Sequence, residues 1–150
     1  ISDQLRNFRS GERGNDKADA SGQLMHQVSM GLDDRIIAFL GRYIQNLKPP
    51  AKRHTVDFKD TASQAAKYKK NCQSCHGEKA IGDKSQRVPP LNKQPDWYLI
   101  NQLNSFQKGT RQHGRIKKPD RLSEGDIKAM AAYLAQLKEP ASSPSSPSKE

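Results

Sequence analysis

The chain has 150 residues, of which 33% are hydrophobic, including 4 Phe, 4 Tyr and 1 Trp; ordinary domains hold ~45–50% apolar residues, so either much of the chain is disordered or something other than side chains fills its core. Its net charge of +10 is uneven, with 7 basic and 6 acidic residues over 1–50 against 18 and 9 over 51–140, which suits an acidic partner: nucleic acid, an anionic membrane surface or an acidic protein face. No apolar run approaches the ~18–20 residues of a membrane span, and the start at Ile1 without a leader pattern reads as a processed or shortened chain.

In chain order, residues 1–13 (ISDQLRNFRSGER) read as the end of a helix. A loop carrying Met25 follows, with His26 solvated and Met30 a packing residue, and then a helix begins at Leu32 (LDDRIIAFLGRYIQNLKPP). Residues 48–59 form a basic linker. A helix from about Asp60 to Cys72, capped by Asp60 or Thr61, offers Ala62, Ala65, Ala66 and Tyr68 for close packing. Residues 77–95, with Gly77, Gly82, Pro89, Pro90 and Pro95, read as loop. The next helix takes Asp96 as its cap, shows Leu99, Leu103 and Phe106 on one face, and ends at Gly109. The last has Ser123 as N-cap with Asp126 three residues on, a buried stripe of Ile127, Met130, Ala131, Leu134 and Leu137, and a stop at Lys138 and Pro140. The Pro/Ser-rich segment 141–150 is expected to be disordered. No segment carries a strand pattern, so the fold class is all-α.

The chain repeats itself. At an offset of 98, Gln4, Leu5, Phe8, Gly11 and Arg13 match Gln102, Leu103, Phe106, Gly109 and Arg111. At an offset of 90, Leu32, Ile37, Tyr43, Leu47, Lys48 and Pro50 match Leu122, Ile127, Tyr133, Leu137, Lys138 and Pro140. Each copy is a helix, a loop and a second helix, and the loop of the second copy is shorter by 8 residues.

The two cysteines of the chain, Cys72 and Cys75, stand in Cys-Gln-Ser-Cys-His. This spacing matches covalent haem attachment: two thiols add across the two vinyl groups, and the adjacent His76 is held beneath the ring as proximal ligand. A redox dithiol lacks its βαβ surroundings here. A zinc site lacks a second cysteine pair, and the histidines lie apart at 26, 54, 76 and 113. A haem is also a large apolar body that would complete a thin core.

With YKKNCQSCHG, VPPL, DWYLINQLNSFQKGTR and LSEGDIKAMAAYLAQL in the rear copy, and QLRNFRSGERG and LDDRIIAFLGRYIQNL in the front one, the chain resembles class I c-type cytochromes. Within them it is similar to the two-domain, two-haem cytochrome c4-like type and to the cytochrome domains of bacterial cytochrome c oxidase subunit II. The resemblance implies a class I cytochrome c fold over 51–140, preceded by the C-terminal half of a second such domain over 1–50. It implies one covalent haem c, a second only if the chain extends upstream of Ile1, and VPPL lining the proximal side with Leu91, Leu99, Leu103 and Tyr133 as pocket residues. It further implies one-electron transfer rather than catalysis, a periplasmic location or the outer face of the cytoplasmic membrane, and a place in a respiratory chain or oxidase complex.

In that family a methionine from the loop before the last helix is the sixth ligand. The front copy keeps such a residue, Met25, but lacks a haem motif. The rear copy has the motif, and its eight-residue deletion falls where the methionine belongs, leaving RQHGRIKKPDR. His113 is the leading distal candidate there, with Lys117 or Lys118 behind it and an open site as the alternative. An open site would make this a ligand-binding or sensing haem with weak peroxidase chemistry. Met130 aligns with Leu40 and reads as packing. The same loop is basic through Arg111, Arg115, Lys117, Lys118 and Arg121, and is expected to dock an acidic redox protein. Nucleic acid is disfavoured because no aromatic residues interleave these charges.

Overall fold

The computed structural model describes residues 1–48, 55–56, 60–113 and 121–137. Among them are helices α1 (Ser2–Arg9), α2 (Ala20–Met30), α3 (Asp34–Asn46), α4 (Thr61–Asn71), the single turn α5 (Gln73–His76), α6 (Asp96–Lys108) and α7 (Glu124–Gln136). There is no strand among the described residues, only an isolated antiparallel bridge between Asp83 and Val88. The stops expected at Lys138 and Pro140, the Ser/Pro tail and most of the basic linker lie outside the described residues.

The described residues form two compact units, a front one of 1–48 with 102–113 and a rear one of 55–56, 60–101 and 121–137, so α6 contributes to both. In the front unit α1 packs on α2 and α3. Phe8 and Ile37 are its buried apolar side chains. α3 starts where Asp33 accepts the Ile36 amide at 2.7 Å. Its Asp34 takes Arg9 at 2.9 Å and Arg6 at 3.4 Å from α1, and the Arg9 hydrogen bond chiefly holds the carboxyl below its ordinary value.

α2 corrects the loop expected around Met25. Asp19 accepts the Gly22 amide at 2.9 Å and starts a helix that places Met25 half-buried and His26 with Nδ1 on the Phe8 carbonyl. His26 is therefore engaged rather than solvated. Met30, expected to pack, is 64% exposed.

The repeated Gln and Arg residues meet. Arg13 donates to Gln4 and, at 3.2 Å, to Gln102; Arg111 donates to Gln102 and, at 3.5 Å, to Gln4. Each guanidinium also lies over a ring, Arg13 at 4.2 Å from the Phe8 centroid and Arg111 at 4.7 Å from that of Phe106. Two cations are thus held by two neutral amide oxygens and two π faces.

In the rear unit α4 packs on α7. Ser123 caps α7 by accepting the Asp126 amide at 3.1 Å, and Ile127, Met130, Ala131 and Leu134 are buried as the stripe requires, with Leu137 half-buried. Two expectations change. The buried side chains of α4 are Gln64 and Tyr68, whereas Ala62 and Ala66 are exposed. The fully buried Asp96 does more than cap α6: it accepts the Trp97 amide of the first turn at 2.6 Å and also gathers the Thr55 and Val56 amides and the Thr55 hydroxyl, at 2.8 Å for Val56 and 3.1 Å for the hydroxyl. A buried carboxylate needs several donors, and the incoming backbone at 55–56 supplies them. Gly109 ends α6 as expected, at φ 78°.

Replacing Arg13 with alanine removes donors from Gln4 and Gln102 and a cation from Phe8. The expected loss is about 1–3 kcal/mol of unfolding free energy, read by denaturant titration. A double-mutant cycle with Gln102→Ala should give a non-zero coupling.

Candidate haem-attachment site

Local chain geometry builds the site. α4 delivers the chain into the motif, with the Cys72 amide bonding back to the Tyr68 carbonyl at 2.8 Å. The Cys75 and His76 amides both return to the Cys72 carbonyl, at 3.2 and 3.0 Å, and wind the motif into the one turn of α5. This winding puts Cys72, Cys75 and His76 on successive steps of one turn. The two cysteines are half-buried, and His76 is 7% exposed.

His76 Nδ1 lies 2.9 Å from the Pro89 carbonyl. A carbonyl only accepts, so Nδ1 carries the proton and the lone pair belongs to Nε2, the nitrogen a haem iron takes. Burial lowers the imidazole pKa, with the Pro89 bond opposing it, so the ring is held neutral in its ligating form. Burial also pushes the Cys72 thiol up to about 11; a thioether there carries no charge at all. The donor set and its orientation fit a covalent haem c, with Cys72 and Cys75 as attachment points and His76 as proximal ligand.

The loop after the motif exists to bring Pro89 back. The Gly82 amide donates to the His76 carbonyl at 2.9 Å, and Asp83 and Val88 exchange amide bonds at 3.0 and 2.8 Å. At Gly82, with φ 71°, a Cβ would run into the Val88 carbonyl oxygen and the Pro89 backbone, so the position requires glycine. Asp83 holds the turn between, accepting from Ser85 N at 2.8 Å, Ser85 Oγ at 2.6 Å and the Gln86 side chain at 3.1 Å. Ala80, fully buried at φ 54°, receives the Leu91 and Asn92 amides at 2.8 and 3.2 Å.

Of the pocket residues read from sequence, Leu91, Leu99 and Tyr133 belong to the same unit as the motif, Leu99 buried and the other two half-buried. Leu103, His113 and Met25 belong to the front unit. The His113 ring stands edge-on to Phe106 at 4.7 Å between centroids. Arg111 of the expected basic loop is committed to Gln102, Gln4 and Phe106, while Arg115, Lys117 and Lys118 lie outside the described residues. Among the described residues no further His/Cys/Asp/Glu group of three or more could hold a metal ion.

Residues 62–138 match the Cytochrome c family profile. The chain belongs to the cytochrome c family. It is 28% identical to cytochrome c-552 of Acidithiobacillus ferridurans over 131 residues, 81% of this chain and 56% of that one. It is 27% identical over 155 residues to the thiosulfate dehydrogenase electron acceptor of Stutzerimonas stutzeri (strain A1501), 89% of this chain and 64% of that one. The structure of Acidithiobacillus ferrooxidans cytochrome c4 superposes with a TM-score of 0.70 at 28% identity, covering 91% of this chain and 83% of that chain. The chain spans under two thirds of the length of these two curated relatives. A c-type cytochrome with this motif binds haem c covalently and carries electrons rather than transforming a substrate.

Sequence reading missed three contributors: the Pro89 carbonyl, the Tyr68 hydroxyl, which donates to the Gly77 carbonyl at 2.6 Å, and the Asp83 turn. The spacing of Tyr68 four residues before Cys72, one helical turn, was the available signal.

The Asp83 carboxyl is held below its ordinary value, first by the Ser85 hydroxyl. Its contribution is therefore complete above the unfolded value near 3.8 and is lost as pH falls through the lower folded value. Asp83→Ala should lower the melting temperature near neutrality and flatten its fall below about pH 4, with wild type and variant converging in acid.

Proposed function

We propose that this cytochrome accepts electrons from an acidic-faced redox protein outside the cytoplasm and passes them toward a respiratory chain. The relatives named as electron acceptors of thiosulfate dehydrogenase make a thiosulfate-oxidising enzyme the favoured donor. The observation that carries the reading is the His76–Pro89 bond, which orients an imidazole for iron at a motif able to hold haem c. When bound, that haem supplies a one-electron Fe(III)/Fe(II) couple. The chain's residues hold the imidazole neutral, bury it, and surround the motif with charge. Lys69, Lys79, Lys84 and Arg87 are exposed and close to it in sequence, and these are the cations offered to the partner. No helix among the described residues is long and apolar enough to cross a membrane.

The front residues 1–50 are read as the C-terminal half of a second cytochrome domain, and 51–140 as the haem-bearing one. α3 supports this. Phe39, Tyr43, Ile44 and Leu47 are 42–62% exposed, while Ala129 and Leu134, at the positions of α7 that match Phe39 and Ile44, are buried beneath an α4 that the front unit lacks. Met25 is the ligand such a second haem would use.

A second reading concerns the sixth position. Apart from Cys72, Cys75 and His76, Met130 alone among the described rear-unit residues carries sulfur or imidazole, and it is 1% exposed within α7. The distal donor is then His113 or a lysine of 114–120, or the site is open to small ligands.

Two experiments test these readings. Replacing Lys79, Lys84 and Arg87 with glutamate should slow reduction by thiosulfate dehydrogenase about tenfold or more at low salt, with little difference left at high salt; equal rates at low salt would sink the docking face. A low-spin spectrum lost in His113→Ala assigns the ligand. An unchanged low-spin spectrum excludes His113, and a high-spin wild type that takes up carbon monoxide at neutral pH replaces the simple carrier with the open-site reading.

A further inference from the structure

We propose that Tyr68 is a positioning residue for the proximal histidine, acting through the Gly77 carbonyl. Tyr68 holds the motif at both ends. Its backbone carbonyl accepts the Cys72 amide at 2.8 Å, and its hydroxyl donates to the Gly77 carbonyl at 2.6 Å. Between those two bonds lie Cys72, Cys75 and His76, so one residue of α4 fixes the whole attachment segment against its own helix. The side chain is 1% exposed, and its ring is held from behind by Tyr133, with centroids 6.0 Å apart and planes tilted by 51°.

The Gly77 carbonyl also receives the Ala80 amide at 3.1 Å, and the His76 carbonyl receives the Gly82 amide at 2.9 Å. Gly82 adjoins the Asp83–Val88 turn that presents the Pro89 carbonyl to His76 Nδ1. Moving Gly77 therefore shifts the start of the loop whose end sets the imidazole. A buried hydroxyl without an acceptor is costly; here its acceptor is the residue directly after the ligand. With the hydroxyl removed, Gly77 keeps the Ala80 amide, so folding and haem attachment survive. What loosens is the aim of Nδ1–H at Pro89. A weaker Nδ1–H bond makes His76 a poorer donor to iron, which favours Fe(II).

The test is the holoprotein with Tyr68→Phe, and with Tyr98→Phe, the rear-unit tyrosine stacked edge-on with Trp97, as a control that removes a different phenol. Tyr68→Phe should retain covalent haem by mass, raise the midpoint potential, and speed exchange of the Ala80 and Gly82 amides by about fivefold, one net hydrogen bond. Tyr98→Phe should leave both unchanged. Replacing tyrosine with 3-fluorotyrosine strengthens the phenol as a donor without altering the packing and should shift the potential the opposite way. Equal potentials in wild type and Tyr68→Phe, or matching shifts in the two Phe variants, would overturn the assignment. If Tyr68→Phe fails to fold, the fluorotyrosine protein decides: a lowered potential supports the role and an unmoved one rejects it.

Discussion

The bond from His76 Nδ1 to the Pro89 carbonyl ties two points of the rear unit that lie 13 residues apart, and most of the intervening chain is arranged to permit it. α5 sets where the imidazole leaves the backbone. Gly82 lets the loop turn where any side chain would strike Val88 and Pro89. The Asp83 turn closes the return, and Ala80 accepts a left-handed conformation, which costs a non-glycine residue about 1–2 kcal/mol, because its carbonyl collects two amides from Leu91 and Asn92. Strain at that position is offset by the bonds that hold it. The result is a neutral, oriented imidazole, which suits an iron ligand in both oxidation states because little need rearrange when an electron arrives.

The same helical pattern has two fates within one chain. Ile37 and Ile127 are both buried, since each is the inward position of its helix. Beyond them the copies diverge. Tyr133 is half-buried against Tyr68, whereas Tyr43 is 55% exposed and stacks on Phe39, with ring centroids 6.2 Å apart. The difference does not lie in α3 and α7 themselves but in α4, which covers α7. Each large apolar side chain left in water forgoes about 1.5–3 kcal/mol, so several on α2 and α3 amount to a stabilisation that residues 1–48 alone do not collect.

What could be read from sequence divides along the range of the interactions. Cys72, Cys75 and His76 were legible because attachment chemistry dictates their spacing. The stripe of α7 and its Ser123 cap were legible because both are local. α2 was missed because Asp19, its cap, sits in a polar stretch that resembles a turn, and the helix beyond it has a mixed face. Asp96 was read only in part: its bond to the Trp97 amide at the helix start is local, whereas the arrival of Thr55 and of Val56, 40 residues away, which gives the same carboxylate a second set of donors, is not. The buried face of α4 keeps Tyr68 as read, but its partner drew in Gln64 rather than Ala62 and Ala66.

Charge was the least legible quantity, because a net figure does not say which cations are spoken for. Arg6 and Arg9 answer Asp34, Lys67 answers Asp126, and Lys128 answers Glu124. Arg13 and Arg111 are held by amides and rings. These six cations serve the fold. Glutamine at 4 and 102 accepts from both arginines without cancelling their charge, so the pair adds to the long-range field while remaining unavailable for direct contact with a partner. Steering at a distance depends on the summed charge, but the docked geometry depends on side chains that can still reach out. On that division Lys69, Lys79, Lys84 and Arg87, exposed and close in sequence to the motif, keep the reach that a docked contact would require.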